Sequence, residues 1–200
     1  IPVVLITGTN GKTTTARLTA RIVSSAGLNV GNSSTDGIYL NGEVIESGDW
    51  TGPGAARAIL RHPKVDVAVL ETARGGILRR GLGVDVCDAA VVTNIAADHL
   101  GEYGVFDVED MAVVKGLVYG AVRPGGHRVL NLDDPLMAKL QRSSSDFLIS
   151  LECTQDIQQH LDEGGVGAWF DSECLVLGQG AVSTPIIPIA EMPLARGGIA

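Results

Sequence analysis

The segment Gly8-Thr9-Asn10-Gly11-Lys12-Thr13-Thr14 sets a lysine directly after a glycine, where the apolar run Val3 to Ile6 gives way to a helical pattern. A junction of this kind binds phosphate: the glycines let backbone approach the anion, the amides of the helix N-terminus point at it, and the lysine neutralises its charge. Thr13 places a hydroxyl where it can ligate Mg2+. The spacing departs from G-x-x-x-x-G-K-T, because Ile6 stands where the first glycine belongs. An ordinary glycine-containing strand-to-helix turn is the competing reading.

A second set of polar residues follows apolar runs elsewhere in the chain. Glu71 comes after Val67 to Leu70, Asn94 after Ala89 to Thr93 with Asp98 and His99 close behind, and Asn131 and Asp133 after Arg128 to Leu130. If the runs are strands of one open parallel sheet, their C-terminal ends share an edge with the phosphate loop, and these side chains are expected to gather around a nucleotide. A carboxylate, an imidazole and a threonine hydroxyl beside a triphosphate form a suitable Mg2+ ligand set. Lys115 sits on a helix whose Val113, Val114, Leu117 and Val118 are expected to be buried, and by itself reads as a snorkelling side chain.

The elements that must position these residues are legible as an alternation of short apolar runs with helical patterns, the signature of β-α-β units. Besides the runs above, Phe147 to Leu151 reads as a fifth strand. Lys12 to Ala26 reads as a helix with the stripe Leu18, Ile22, Ala26 and a stop at Gly27. Pro53 opens a helix to Arg61, Asp107 caps another to about Val122 ended by the Pro124-Gly125-Gly126 turn, and Asp134 to Gln141 is expected to be a fourth. Asp156 to Leu161 is a short helix, followed by strand-like runs at Ala168 to Phe170, Leu175 to Leu177 and Ile186 to Ile189. The fold expected is α/β, a P-loop-containing, mainly parallel sheet flanked by helices over residues 1–150, with a small antiparallel β appendage over 151–200.

Composition narrows the function classes. With 45% apolar residues in 200 there is enough to bury a core, and a net charge of −8 with 15 lysines and arginines argues against a nucleic-acid surface. Cys87, Cys153 and Cys174 form no C-x-x-C pair and read as reduced, mostly buried thiols of a cytoplasmic protein. Val3 to Ile6 is too short for a membrane span. The start at Ile1, already within a strand, reads as a piece of something longer.

Taken together, Ile6 to Thr14 and Thr93-Asn94-Ile95-Ala96-Ala97-Asp98-His99-Leu100 resemble the Mur ligases and their relatives the folylpolyglutamate synthetases. Within that superfamily, Thr35-Asp36-Gly37-Ile38-Tyr39, Thr51-Gly52-Pro53-Gly54 and Leu70-Glu71-Thr72-Ala73-Arg74-Gly75-Gly76-Ile77-Leu78-Arg79 are similar to the C-terminal ligase half of the cyanophycin synthetases. The match covers most of Ile1 to Pro135 and weakly reaches Pro193 to Gly198, similar to the segment before the family's His-Asn adenine-contacting motif. The resemblance implies a central ATP-binding domain in which ATP phosphorylates a carboxylate and an amine attacks the acyl phosphate. It implies Mg2+, as two ions, with Thr13 and Glu71 holding the first and His99 the second, and Lys115 where the family often has a lysine carbamylated by CO2. Asn131 and the Asp133-Asp134 pair resemble the nucleotide-side motif. It further implies a poly-aspartate acceptor and arginine as the amine, with Arg74 and the Thr35-Asp36 loop toward the acceptor. A loop-carboxylate bridge is an equal alternative for Arg74. An N-terminal ATP-grasp half and a C-terminal ligase domain are expected to be missing here, leaving weak nucleotide binding and little turnover, and the whole protein could be a homo-oligomer. Peptidoglycan-precursor or folate acceptors, and a non-catalytic P-loop nucleotide-binding module, are the alternatives.

Overall fold

The computed structural model describes residues 1–98 and 100–192, and the chain divides into two compact units, Ile1–Arg128 and Val129–Ala200. In the first, the elements run β1 (Val3–Thr7), α1 (Lys12–Ser25), β2 (Val30–Ser34), β3 (Gly37–Leu40), β4 (Glu43–Ser47), α2 (Pro53–Leu60), β5 (Val67–Glu71), α3 (Arg74–Arg80), β6 (Cys87–Val92) and α4 (Val108–Gly120), and β7 (Val122–Asn131) begins there. The strand order is β6-β1-β5-β2-β3-β4. β1 pairs in parallel with both β5 and β6, and β5 with β2. The centre belongs to β1 and β5 because they are apolar on both faces: Leu5, Ile6, Ala68 and Val69 are wholly buried. β2 continues into an antiparallel meander with β3 and β4. These three strands gave little periodic signal, since β2 is Val-Gly-Asn-Ser-Ser yet buried at every position. The edge strand β4 is exposed throughout and carries Glu43 and Glu46, charges that discourage pairing with another chain.

Two helices bury faces other than those expected. α1 rests on the sheet through Ala16, Ala20 and Val23 against Ile6, Val30 and Val69, while Ile22 is 69% exposed. Alanines let the helix lie close to the sheet, so of the expected stripe Ile22 and Ala26 are exposed and Leu18 is half-buried. In α4 the buried set is Met111, Val114, Lys115, Val118 and Tyr119, the i, i+3, i+4, i+7, i+8 face of an α-helix. Val113 and Leu117 are therefore exposed, at 70% and 50%, and the lysine occupies the core stripe. Asp107 caps α4 by accepting from Asp110 N at 2.8 Å, as its type predicts. The helix ends at Gly120, and Pro124-Gly125-Gly126, expected as a turn, lies within β7, where Gly125 absorbs the kink at φ 80°.

In the second unit, Val129–Asn131 of β7 pairs in parallel with β8 (Phe147–Ile149), and β8 pairs in parallel with β9 (Val166–Phe170) across α5 (Gln155–Asp162). β10 (Cys174–Gln179) and β11 (Val182–Pro188) complete an antiparallel end, followed by a 3-10 turn at Ile189–Glu191. The parallel β7-β8-β9 pairing draws residues 129–150 into this unit, so the compact division lies before β8 and not after it. The helix expected over Asp134 to Gln141 is instead a succession of turns. Asp134 Oδ1 accepts from Leu136 N at 2.9 Å and Met137 N at 3.2 Å and its carbonyl from Ala138 N at 2.9 Å, so the segment opens as a capped helix does, but it closes on a tight bond from Leu140 N to Met137 O at 3.1 Å and does not propagate. Of the cysteines only Cys87 is buried; Cys153 is exposed and Cys174 half-buried. Among the described residues no helix is long and apolar enough to cross a membrane.

Candidate active site

The phosphate loop joins β1 to α1 with Gly11 in the left-handed region at the helix N-cap. It is braced from below by the strand end after β6. Asn94 accepts from Asn10 N through Oδ1 at 2.9 Å and donates through Nδ2 to Asn10 O at 3.0 Å. Thr93 Oγ1 donates to the same carbonyl at 2.6 Å, Thr9 N donates to Asn94 O at 2.9 Å, and Thr9 Oγ1 accepts from Ala96 N at 3.0 Å. Asn94, expected among the nucleotide's ligands, thus has both amide atoms engaged with the loop backbone. Thr93 was not singled out as functional, and a hydroxyl closing a buried strand was the available signal. Gly8 is fixed by this packing: its φ is 148° and a β-carbon would overlap Thr93 Oγ1.

Facing the loop, Thr13 Oγ1 donates to Glu71 Oε2 at 2.9 Å and lies 3.3 Å from Thr35 Oγ1. Glu71 is 1% exposed at the C-terminal end of β5, and its Oε1 is buried without a hydrogen-bond partner among the described residues. Burial raises the carboxyl above the usual range, a shift opposed by the Thr13 hydroxyl, the Lys12 ammonium and the Thr35 amide and reinforced by Asp36. A buried acid oxygen left unpaired beside a phosphate loop, with a threonine hydroxyl on its sister oxygen, is a hard-oxygen pair that suits a divalent cation.

Two ammonium groups close on loop carbonyls: Lys12 Nζ donates to Thr9 O at 2.9 Å, and Lys115 Nζ to Gly8 O at 2.6 Å. Lys115 is 3% exposed. Desolvation, with Lys12 and Arg74 nearby, lowers its pKa to about 8 against a smaller opposing effect of Asp98.

The remaining expected residues fall in several places. Thr35 is at the site, whereas Asp36 forms an exposed ion pair with Arg17 at 2.5 Å. Arg74, at the start of α3, bridges to Glu102 at 2.9 Å, the loop-carboxylate contact weighed against substrate binding. Gly8, Thr9, Asn10 and Gly11 form the turn between β1 and α1, Lys12 and Thr13 open α1, and Thr14 is exposed on its first turn. Asn131 and Asp133 belong to the second unit. There Asp133 accepts from Ser150 Oγ and Leu151 N, each at 2.7 Å, and Asn131 Oδ1 accepts from Asp133 N at 3.1 Å. His99 and Pro193 to Gly198 lie outside the described residues.

Comparison with known proteins adds an independent line. The Mur ligase middle domain family matches residues 6–167. The chain is 45% identical over 203 residues to a cyanophycin synthetase of Synechocystis sp., covering 100% of this chain and 23% of that protein. It is 31% identical over 175 residues to the UDP-N-acetylmuramoylalanine–D-glutamate ligase of Pelotomaculum thermopropionicum, covering 88% of this chain and 33% of that one. It therefore spans about a quarter to a third of the length of these relatives. Among solved structures, a UDP-N-acetylmuramoyl-L-alanyl-D-glutamate–2,6-diaminopimelate ligase superposes with TM-score 0.68 at 21% identity, over 94% of this chain and 39% of its own. A bifunctional folylpolyglutamate synthase/dihydrofolate synthase with Mn, AMPPNP and L-glutamate bound gives 0.61 at 24% identity, over 97% and 50%. These likenesses extend to the mainly parallel, helix-flanked fold.

Proposed function

Because the chain belongs to the Mur ligase middle domain family, we infer that it is the ATP-binding part of an ATP-dependent carboxylate-amine ligase. The observation that carries this reading is the Thr13-Glu71 pair at the mouth of the loop, with Glu71 Oε1 buried and unpartnered. Thr13 and Glu71 would hold a divalent cation such as Mg2+, which when bound would neutralise phosphate charge. Gly8 to Thr14 would cradle the phosphates, with Lys12 leaving the Thr9 carbonyl to meet them. The acceptor carboxylate oxygen attacks the γ-phosphorus and ADP leaves; the neutral amine nitrogen then attacks the acyl carbon, inorganic phosphate leaves, and the nitrogen gives up one proton, to the departing phosphate or to water, yielding the amide. Little covalent work falls to the protein, so positioning and charge carry the rate.

A second Mg2+ site, held by His99 and a carbamate on Lys115, is part of the same proposal. The buried Lys115 with its lowered pKa supports it, because only the neutral amine adds to CO2. The similarity to a cyanophycin synthetase favours arginine as the amine and aspartate side chains of a polymer as the acceptor. Asn131 and Asp133 are proposed on the nucleotide side, and Thr35, Asp36 and Arg74 on the acceptor side.

The test is ADP release by the full-length protein, offered arginine with an aspartate polymer, then peptidoglycan-precursor or folate substrates. Release that depends on both members of the first pair supports the reading; dependence on another pair reassigns the branch. ATP hydrolysis indifferent to any carboxylate and amine would refute the ligase.

A further inference from the structure

The two-residue turn between β2 and β3 sends adjacent side chains to different places. Thr35 Oγ1 lies 3.3 Å from Thr13 Oγ1, and the Thr35 N–H donates to the Glu71 carboxylate. Asp36 pairs instead with Arg17, 2.5 Å from guanidinium nitrogen to carboxylate oxygen. One helix supplies both partners: Thr13 and Arg17 are four residues apart on α1 and so share a face of it. The backbone of the turn is fixed independently of the ion pair, since Asp36 N donates to Ser34 Oγ at 3.1 Å and Gly48 N donates to Asp36 O at 3.1 Å. What the ion pair decides is therefore the direction of the Asp36 side chain.

That direction matters because of what lies beside it. Asp36 is close enough to Glu71 to strengthen that carboxyl's hold on its proton, so its charge is felt at the Thr13-Glu71 pair. A carboxylate is a stronger ligand for a hard divalent cation than a hydroxyl, and it repels a triphosphate. Arg17 offsets the charge of Asp36 and is itself held in place: its guanidinium carbon is 5.9 Å from the Tyr39 ring centroid, and Nη2 lies 3.5 Å from Tyr39 Oη. Both members of the pair are about half exposed, where an ion pair adds little to folding. Its consequence is local, at the positions of metal and phosphate.

We propose that Arg17 is a positioning residue of the nucleotide site: by holding Asp36 against the second turn of α1, it makes the β2-β3 turn present the neutral Thr35 hydroxyl, and not a second carboxylate beside Glu71, to a bound cation and its phosphates. With two carboxylates in place, the nucleotide-free protein would bind the cation tightly, and part of the cation's charge would already be offset when the triphosphate arrives. With one, the cation is held by protein and phosphate together. The inference rests on the reading of Thr13 and Glu71 as the cation's ligands. It concerns binding, and so is independent of which carboxylate and amine are joined.

The test uses the full-length protein with Arg17→Gln, Arg17→Lys and the double variant Arg17→Gln/Asp36→Asn. Electron paramagnetic resonance follows Mn2+ binding to the nucleotide-free protein, with Glu71→Gln marking the share that belongs to this site. Calorimetry gives the affinity for a non-hydrolysable ATP analogue at saturating Mg2+. In Arg17→Gln the two are expected to move in opposite directions, Mn2+ binding about three- to tenfold tighter and the analogue about three- to tenfold weaker, with the weakening smaller at high salt. Arg17→Lys and the double variant should both stay within about twofold of wild type, the first because the charge is kept and the second because no carboxylate is left to redirect. Affinities unchanged in Arg17→Gln, or falling together as they would for a merely structural residue, would overturn the proposal, as would shifts that persist in the double variant. Loss of the Mn2+ site in Glu71→Gln without opposed shifts in Arg17→Gln refutes the role of Arg17 alone; retention of that site in Glu71→Gln refutes the metal reading as well.

Discussion

Replacing Glu71 by glutamine should raise the stability of the ligand-free chain while removing its response to Mg-nucleotide. Glu71 is 1% exposed, one oxygen accepts from Thr13 Oγ1, and the other has no partner among the described residues. A buried unpaired polar atom costs on the order of 1–3 kcal/mol, and more when charged. Glutamine keeps an acceptor for Thr13 and exchanges the orphaned carboxylate oxygen for a neutral amide, a net gain of about 1 kcal/mol, or about 2–4 °C in Tm at this chain length. The pH dependence has a definite sign. The folded carboxyl titrates above its ordinary value of 4.5, so the native state holds this proton more tightly than the unfolded state. Its contribution is present at low pH and lost as pH rises from about 4.5 through the folded pKa. The Tm advantage of Glu71→Gln over wild type should therefore grow across that window and then level. With Mg-ATP at a hundred times Kd, wild type gains about 2.7 kcal/mol. The variant should gain less than a third of this. Thermal melts at several pH values, with and without Mg-ATP, read both effects. A variant that melts below wild type when ligand-free, or keeps the full Mg-dependent shift, would refute the assignment of Glu71 as a buried metal ligand.

Lys115, with a pKa of about 8, should hold roughly a tenth of its amine neutral at pH 7, some 300-fold more than a lysine at 10.5. A 13C carbamate resonance from labelled bicarbonate near pH 8, absent in Lys115→Met, checks this. Because the folded pKa is depressed, chain stability should rise as pH increases from about 8 to 10.5, and Lys115→Met should abolish that rise in melts. Asn94→Ala removes both side-chain bonds to Asn10 and should cost about 1–2 kcal/mol by denaturant unfolding and weaken nucleotide binding about tenfold by calorimetry. Gly8→Ala meets Thr93 at a φ of 148° and should cost at least ~3 kcal/mol; Thr93→Ala in the same chain should recover only the steric part, which a double-mutant cycle measures.

The sequence by itself determined the glycine-lysine junction between β1 and α1, the five apolar runs that became β1, β5, β6, the end of β7 and β8, and the carboxylate that ends β5. These are local signals: a glycine-lysine junction between two periodicities, or an acid closing an apolar run, means the same thing wherever the chain goes. Tertiary structure decided which face each helix buries. α4 is apolar nearly all round, so its composition could not say whether Val113 or Lys115 enters the core, and the packing of Met111, Val114 and Val118 chose the lysine. It likewise decided that Asn94 braces the loop, because Asn10 comes within reach only when β1 and β6 pair. β2 gave no strand signal because burial on both faces replaced the usual apolar alternation with small polar residues, and the segment after Asp134 is capped like a helix yet closes after one turn through Leu140 N and Met137 O. Side chains separated by dozens of residues meet through strand order, and strand order is set by which runs can be covered on both faces, a property of the whole sheet.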